Sequence, residues 1–154
     1  IHERLVGSEM CIRDSSQAMR SREIHRTYQA FALGETAASG TIDAPIARLD
    51  GSLIQRTVDF ASGERSVTHY RTLAHCSVFS HLELNLETGR THQIRVHMAY
   101  IGHPLLGDTL YNKTPGTFPR QALHSASLSF VHPITGEPLN FHAPLPEDMQ
   151  NLLT

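Results

Sequence analysis

The chain has 154 residues, 40% of them hydrophobic and 18% charged, with a formal net charge of −2 at pH 7. These values are ordinary for one soluble globular domain, and no segment has the roughly 18 to 20 apolar residues that span a membrane. The sequence has no signal-peptide pattern and only 2 cysteines, so it predicts a cytoplasmic protein without a disulfide framework. The net charge disfavours a strongly basic nucleic-acid-binding domain but does not exclude local basic clusters.

The first segment differs from the rest of the chain. Residues 1–15 have no hydrophobic periodicity and resemble translated sequencing-adaptor read-through, so we interpret them as non-native, with a native disordered tail as the alternative. The predicted domain therefore covers residues 16–154. Within it, apolar residues that alternate with polar ones predict strands at 26–33, 54–60, 66–75, 78–87, 121–131 and 139–142. The stretch 35–53 contains glycine and proline and is predicted to be a long connection with one short extended piece.

One helix of useful length is predicted, over residues 92–101. Thr91 is placed to cap it, Ile94 and Met98 lie on one face, and Gly102 supplies the stop. A short terminal helix is predicted after residue 146. Because strands outnumber helices and short turns connect them, we predict an α+β fold with a mostly antiparallel, mixed sheet.

Several common kinds of active site are missing from the sequence. There are 11 histidines, but His92, His97 and His103 do not share one helical face, and no H-E-x-x-H or C-x-x-C motif is present. The G-x-S-x-G elbow, the phosphate-binding loop and the dinucleotide fingerprint are also absent. We therefore predict neither metal nor cofactor, and keep a histidine-metal enzyme as the weakest alternative.

The remaining chemical feature is an arginine-rich corner between a strand and the helix. Gly89 lets the backbone turn sharply, Arg90 follows it, and Arg95 enters an apolar stretch between Ile94 and Val96. A guanidinium in such surroundings needs an anionic partner, because an unpaired buried charge is costly. Spacing alone favours an internal salt bridge, and the functional alternative is a catalytic carboxylate or a bound phosphate.

The same corner carries a resemblance to a known family. The run from Leu86 to Arg95, Leu-Glu-Thr-Gly-Arg-Thr-His-Gln-Ile-Arg, followed by Gly-His-Pro-Leu-Leu-Gly-Asp at 102–108 and by Tyr111, resembles the signature of the RluA family of RNA pseudouridine synthases. Arg26-Thr-Tyr28 resembles the basic-x-Tyr motif of that family. Further pieces at 67–70, 121–126, 130–133 and 142–144 resemble other strands of the family. The pieces at 67–71, 120–124 and 107–108 look most like its large-subunit ribosomal RNA branch.

The resemblance implies a fold, an activity and roles for residues. The fold would be the C-terminal part of a pseudouridine synthase catalytic domain. The enzyme would act on RNA without cofactor or metal, and we expect it to be a monomer. Ribosomal RNA is the expected partner, with transfer RNA as the alternative and no membrane partner. Arg95 would hold the nucleophilic aspartate, while Tyr28 would stack on the flipped-out base and assist proton removal at carbon 5. The resemblance also indicates four substrate-binding residues: Arg26, Arg90, His92 and Leu123.

The nucleophile itself is not found where the family has it. The family aspartate lies in an R-L-D-x-x-T-S-G motif before the basic-x-Tyr motif, and no such motif precedes Tyr28 here. Arg48-Leu49-Asp50 follows Tyr28 instead and lacks the Thr-Ser-Gly ending, so we do not interpret Asp50 as the nucleophile. We therefore expect an N-terminally truncated chain that is inactive alone. The alternative is a non-catalytic RNA-binding module that retains the fold.

Overall fold

Strands dominate residues 24–153, the part of the chain that the computed structural model describes. The interpretation of residues 1–15 lies outside this range. In chain order the elements are β1 (Ile24–Leu33), β2 (Ser39–Asp43), β3 (Ile46–Arg48), β4 (Arg56–Val58), β5 (Val67–His75), β6 (Phe79–Leu86), α1 (Gln93–Tyr100), β7 (Leu123–Val131), β8 (Pro138–His142), α2 (Glu147–Gln150) and a 3₁₀ turn (Asn151–Leu153).

Six strands form one sheet in the order β2-β5-β6-β1-β7-β8, and β3 pairs with β4 in a separate hairpin. Every pair of strands within residues 24–153 is antiparallel, which confirms the predicted α+β class with a mostly antiparallel sheet. No helix in this part of the chain is long and apolar enough to cross a membrane.

The main core lies between α1 and one face of the sheet. Ala30, Leu82 and Leu84 from the central strands pack with Ile94 and Met98 from the helix, and each is at least 96% buried. Burying a leucine side chain contributes about 1.5–3 kcal/mol, so this face supplies much of the hydrophobic stabilisation. The other face carries Phe31, Ala122 and Met149, where the C-terminal segment packs. Because Ile94 and Met98 are buried in the main core, the predicted apolar face of α1 is confirmed.

The connection over residues 35–53 was predicted with one extended piece, and this is wrong because it contains both β2 and β3. Gly40 is one of the residues on which that connection was predicted, but it lies within β2, opposite Tyr70 of β5. A Cβ at Gly40 would come within 2.7 Å of the Tyr70 ring. The glycine therefore allows two strands to approach closely, a role that local sequence does not distinguish from a turn.

Candidate active site

The strand-to-helix corner after β6 is held by a buried glutamine. The side-chain oxygen of Gln93, Oε1, accepts hydrogen bonds from the Arg90 backbone N–H at 3.0 Å and from the Thr88 hydroxyl at 2.7 Å. The side-chain nitrogen, Nε2, donates to the Val67 carbonyl at 3.0 Å and to the Thr68 hydroxyl at 2.9 Å. One side chain thus ties the corner to β5, which fixes the direction in which α1 leaves the sheet.

The predicted helix cap at Thr91 is wrong. Residue His92 occupies the N-cap position, with φ 58° and ψ 21°, and its side chain forms no capping hydrogen bond. This left-handed conformation is uncommon for residues other than glycine and costs free energy, although histidine tolerates it better than most. At this helix start the Gln93 backbone N–H donates to the Arg90 carbonyl oxygen at 3.0 Å, so a backbone group and not a capping side chain accepts it.

The guanidinium of Arg95 has a carboxylate partner within the chain. Its Nε and Nη2 donate to the two carboxylate oxygens of Asp108, each at 2.9 Å. The side chain of Asp108 is fully buried, and that of Arg95 is 13% exposed. The internal salt bridge that spacing favoured is therefore present, and its acidic partner lies thirteen residues after the arginine.

Asp108 is further stabilised by the loop that carries it. Its carboxylate accepts the backbone N–H groups of Leu110 at 3.0 Å and Tyr111 at 3.2 Å. Burial raises the pKa of the Asp108 carboxyl, but the Arg95 guanidinium and these two N–H groups outweigh it, so the net pKa lies below the usual range. The carboxylate is charged at neutral pH and balances the charge of Arg95.

A glycine directs the loop at this point. Gly107 has φ +73°, and a Cβ built on it would lie 1.8 Å from the Arg120 carbonyl oxygen. Both the conformation and the close approach require glycine here. The next residue, Asp108, is aimed at Arg95 as a result.

Tyr111 connects the arginine to two other segments. The Arg95 guanidinium lies 5.1 Å from the centroid of the Tyr111 ring, within cation–π range. The Tyr111 hydroxyl lies 2.7 Å from Nδ1 of His92 and accepts the Arg56 backbone N–H at 2.9 Å. Burial, then the positive charges of Arg95 and Arg56, lower the pKa of His92, which favours the neutral imidazole beside the Tyr111 hydroxyl.

Arg95 and His92 border a cleft of about 350 Å³. It contains five of the six residues predicted from sequence, and its lining consists of Tyr28, Leu86, Arg90, His92, Gln93, Ile94, Arg95, Gln121 and Leu123. Arg26 does not line it. The Nε atom of Arg26 is buried on β1 without a hydrogen-bond partner in the described part of the chain.

The positions of Tyr28 and Leu123 follow from strand pairing. The β1–β7 register shifts between Thr27 and Tyr28, and a bulge at such a point redirects a side chain. Leu123 pairs with Ala30 across the same two strands. Because residues 28 and 30 share one face of β1, the tyrosine ring and the leucine side chain meet at the cleft.

Other sequence candidates lie elsewhere. Asp50 is exposed in the turn between β3 and β4 and does not line the cleft. His97 is buried and hydrogen-bonded to the Thr68 hydroxyl and the Ala44 carbonyl, each at 2.8 Å. Within residues 24–153, no three His, Cys, Asp or Glu side chains are grouped so that they could hold a metal ion.

Comparison with known proteins identifies the family. Residues 8–100 match the family model described as RNA pseudouridylate synthase. The chain belongs to this family. The matched residues run through the corner from Leu86 to Arg95, on which the sequence resemblance rested, and the predicted resemblance is confirmed.

Curated family members are similar over most of this chain. It is 50% identical over 139 residues to "Uncharacterized RNA pseudouridine synthase YjbO" of Bacillus subtilis (strain 168), an alignment that covers 90% of this chain and 49% of that protein. It is 44% identical over 151 residues to "Ribosomal large subunit pseudouridine synthase D" of Escherichia coli (strain K12), covering 89% and 46%. The chain thus spans about half the length of the curated relatives it matches.

Solved structures share the fold. "Human RNA Pseudouridylate Synthase Domain Containing 1" gives a TM-score of 0.75 at 25% identity, covering 89% of this chain and 61% of that one. "Human RNA Pseudouridylate Synthase Domain Containing 4" gives a TM-score of 0.76 at 21% identity, covering 95% and 67%. The predicted pseudouridine synthase fold is therefore confirmed.

Three residues of the cleft region received no role from the sequence. Asp108 and Tyr111 lie within the family signature, and the Gly-Asp pair before Tyr111 was the available signal for an acidic partner of Arg95. Nothing in the sequence indicated a structural role for Gln93, because a glutamine near the start of a helix is commonly exposed on the surface. Its importance depends on β5, which is distant in sequence.

Proposed function

We propose that this chain forms the base-binding part of the active site of an enzyme that isomerises uridine to pseudouridine in large-subunit ribosomal RNA. The carrying observation is one cleft that contains Tyr28, Arg95 and Leu123 in a chain related to proteins named as pseudouridine synthases. Its volume of about 350 Å³ lies within the range of small-ligand pockets.

The target uridine leaves the RNA stack and enters this cleft. Extrusion of a base costs a few kcal/mol, and stacking on an aromatic ring returns about 1–3 kcal/mol. Tyr28 supplies the ring and Leu123 an apolar wall beside it. The Tyr28 hydroxyl assists removal of the proton from carbon 5 after the base has rejoined the ribose through that carbon.

Arg95 orients the nucleophilic aspartate. A guanidinium has five N–H donors, and Asp108 takes one from Nε and one from Nη2. Three donors remain for a second carboxylate, whose direction is set because Asp108 and Tyr111 immobilise the arginine. Asp108 is thus the permanent partner of Arg95 in this proposal, and the nucleophile is the second.

We further propose that residues 16–154 form a partial catalytic domain and that the protein is a monomer. Residues 1–15 are proposed to be non-native, although the match to the family model begins at residue 8. The 154 residues alone form no pseudouridine, because they contain no R-L-D-x-x-T-S-G motif. Purified chain with measurable activity on large-subunit RNA would contradict this last point.

The test uses the complete reading frame of the gene and a large-subunit ribosomal RNA transcript, with pseudouridine mapped by a specific reverse-transcription stop. Arg95→Ala should lower the rate by about 10²-fold or more, because a positioned charge–charge contact is lost. Tyr28→Phe keeps the stacking ring but removes the hydroxyl and should lower the rate by about 10²–10⁴-fold. Arg71→Ala is the matched control, since this exposed arginine pairs with Glu83 away from the cleft.

Three outcomes discriminate among the alternatives. Full activity of Arg95→Ala would refute the role of the arginine. Modification of a transfer RNA transcript alone would keep the reaction but change the substrate. Salt-dependent RNA binding by the complete protein without any pseudouridine would favour the non-catalytic module.

A further inference from the structure

A second cleft, of about 370 Å³, lies beside the first. Three arginines line it, Arg48 and Arg56 from the β3–β4 hairpin and Arg90 from the corner, together with Glu64, Gly89 and Thr91. Arg90 lines both clefts. The two clefts are therefore adjacent, and the second is dominated by guanidinium groups.

The hairpin places two of these charges directly opposite each other. Arg48 pairs with Arg56 across the strands. The neighbouring pair is hydrogen-bonded, from the Leu49 N–H to the Gln55 carbonyl at 2.8 Å, so the arginines occupy the alternate position, where side chains are closest. Like charges in this position destabilise a hairpin.

The acidic residue of the cleft does not balance these charges. Glu64 pairs with Arg90 at 2.8 Å, and no carboxylate of residues 24–153 forms an ion pair with Arg48 or Arg56. Among the described residues, the Arg56 guanidinium donates only to the nearby Ile54 carbonyl, at 2.9 Å. Within the described part of the chain, the hairpin thus holds two positive charges without a carboxylate partner at the opening of this cleft.

The hairpin is also fixed relative to the first cleft. The Arg56 backbone N–H donates to the Tyr111 hydroxyl at 2.9 Å, and the Tyr111 ring lies against Arg95. An anion in the second cleft would therefore be held at a set distance from the base-binding cleft.

We propose that the second cleft binds a backbone phosphate of the RNA strand whose uridine enters the first cleft. This inference rests on the proposed function and adds a subsite to it. A phosphate suits the cleft because guanidinium groups bind its oxygens through paired N–H donors and because it neutralises the Arg48–Arg56 pair. The site reads no sequence, since phosphate contacts position a nucleic acid without identifying bases.

The test measures how the affinity of the 154-residue chain for a short fluorescein-labelled oligouridylate depends on salt, by anisotropy. The slope of log affinity against log salt falls by about 0.7 for each phosphate contact that a single strand loses. The Arg48→Gln, Arg56→Gln double variant loses one phosphate contact, so the magnitude of its slope should fall by about 0.7 and it should bind more weakly at low salt. Replacing both arginines by lysine should restore most of the slope, because the charge remains.

The matched control removes two other exposed arginines, Arg71 and Arg120, which already pair with Glu83 and Asp148. Its slope should stay at the value of the unaltered chain, and thermal melting of every variant confirms that it is folded. A Gln double variant with the control slope would overturn the proposal, as would an unaltered chain that does not bind the probe. The binding result is independent of turnover. Pseudouridine formation by the complete protein with an unchanged slope removes the subsite alone, and a lowered slope with no pseudouridine formed by the complete protein removes the proposed reaction alone.

Discussion

The Arg95–Asp108 pair is the contact whose removal should be most damaging. Asp108→Asn keeps an oxygen for the Leu110 and Tyr111 N–H groups. Its new amide would place an N–H group against a guanidinium N–H group, however, and Arg95 would lose its counter-charge while only 13% exposed. Breaking a buried pair on one side costs about 3–5 kcal/mol. Since a domain has about 5–15 kcal/mol in total, this is a large fraction of its stability.

A double-mutant cycle separates the pair from other effects. Arg95→Met leaves a buried carboxylate without its guanidinium and should also destabilise, whereas the double variant leaves neither charge. The two single losses should therefore exceed the loss in the double variant by about 2 kcal/mol or more. Urea denaturation at pH 7.5 gives the free energies of unfolding. Asp148→Asn is the control, since its pair with Arg120 is 36–40% exposed and should contribute less than about 1 kcal/mol.

The pH dependence of the same variant gives a second check. Because the folded state lowers the pKa of Asp108, its stabilisation is present above the ordinary aspartate pKa of about 3.9 and is lost as pH falls through the lowered value. The deficit of Asp108→Asn should stay constant between about pH 5 and 8 and shrink below about pH 4. A coupling energy near zero, or a deficit that persists in acid, would refute the assigned pairing.

Two further predictions concern residues that shape the site. Gly107→Ala should lower the free energy of unfolding by more than about 2 kcal/mol, because its Cβ would lie 1.8 Å from the Arg120 carbonyl oxygen. Gly116→Ala, with a similar φ of +76° and open space around it, should lose only about 1–2 kcal/mol, and equal losses in thermal melting would contradict the steric argument. Burial lowers the pKa of His97, so the unfolded state takes up the proton first and stability should fall as pH drops below about 6.5, by at most about 1.4 kcal/mol per pH unit. His97→Gln should flatten this slope in urea titrations at pH 5–7, and a slope equal to that of the unaltered chain would exclude His97 as its source.

Regular elements were predictable because their signals are local. The alternation in β5 and β6 and the spacing of Ile94 and Met98 report directly which side chains face the core. Gly102 ends α1 as predicted, with φ +88° just after the helix. Where apolar residues repeat on one buried face, the sequence therefore allowed the type of the element to be deduced and its ends to be placed to within a few residues.

The contacts of the cleft were not predictable in the same way. The partner of Arg95 is set by a loop that turns at Gly107, and neither the turn nor its approach to Arg120 is visible in local sequence. The hydrogen bonds that tie the corner to β5 were missed because Gln93 reaches a strand that is distant in sequence. Each of these depends on which segments meet after folding, whereas periodicity reports only what one segment does.

The arginines of the two clefts have different proposed roles. Asp108 already balances the charge of Arg95. In the proposed mechanism Arg95 therefore orients the nucleophilic carboxylate but adds no net positive charge that would attract RNA. Arg48 and Arg56 have no carboxylate partner among the described residues, and in the proposed subsite they would attract a polyanion over about a Debye length, near 8 Å at physiological salt. Changes at Arg95 should therefore reduce turnover with little effect on the salt dependence of RNA binding, and changes at the hairpin should do the reverse. Tyr111 joins the two through Arg56 and Arg95, so its removal is the single change that should disturb both.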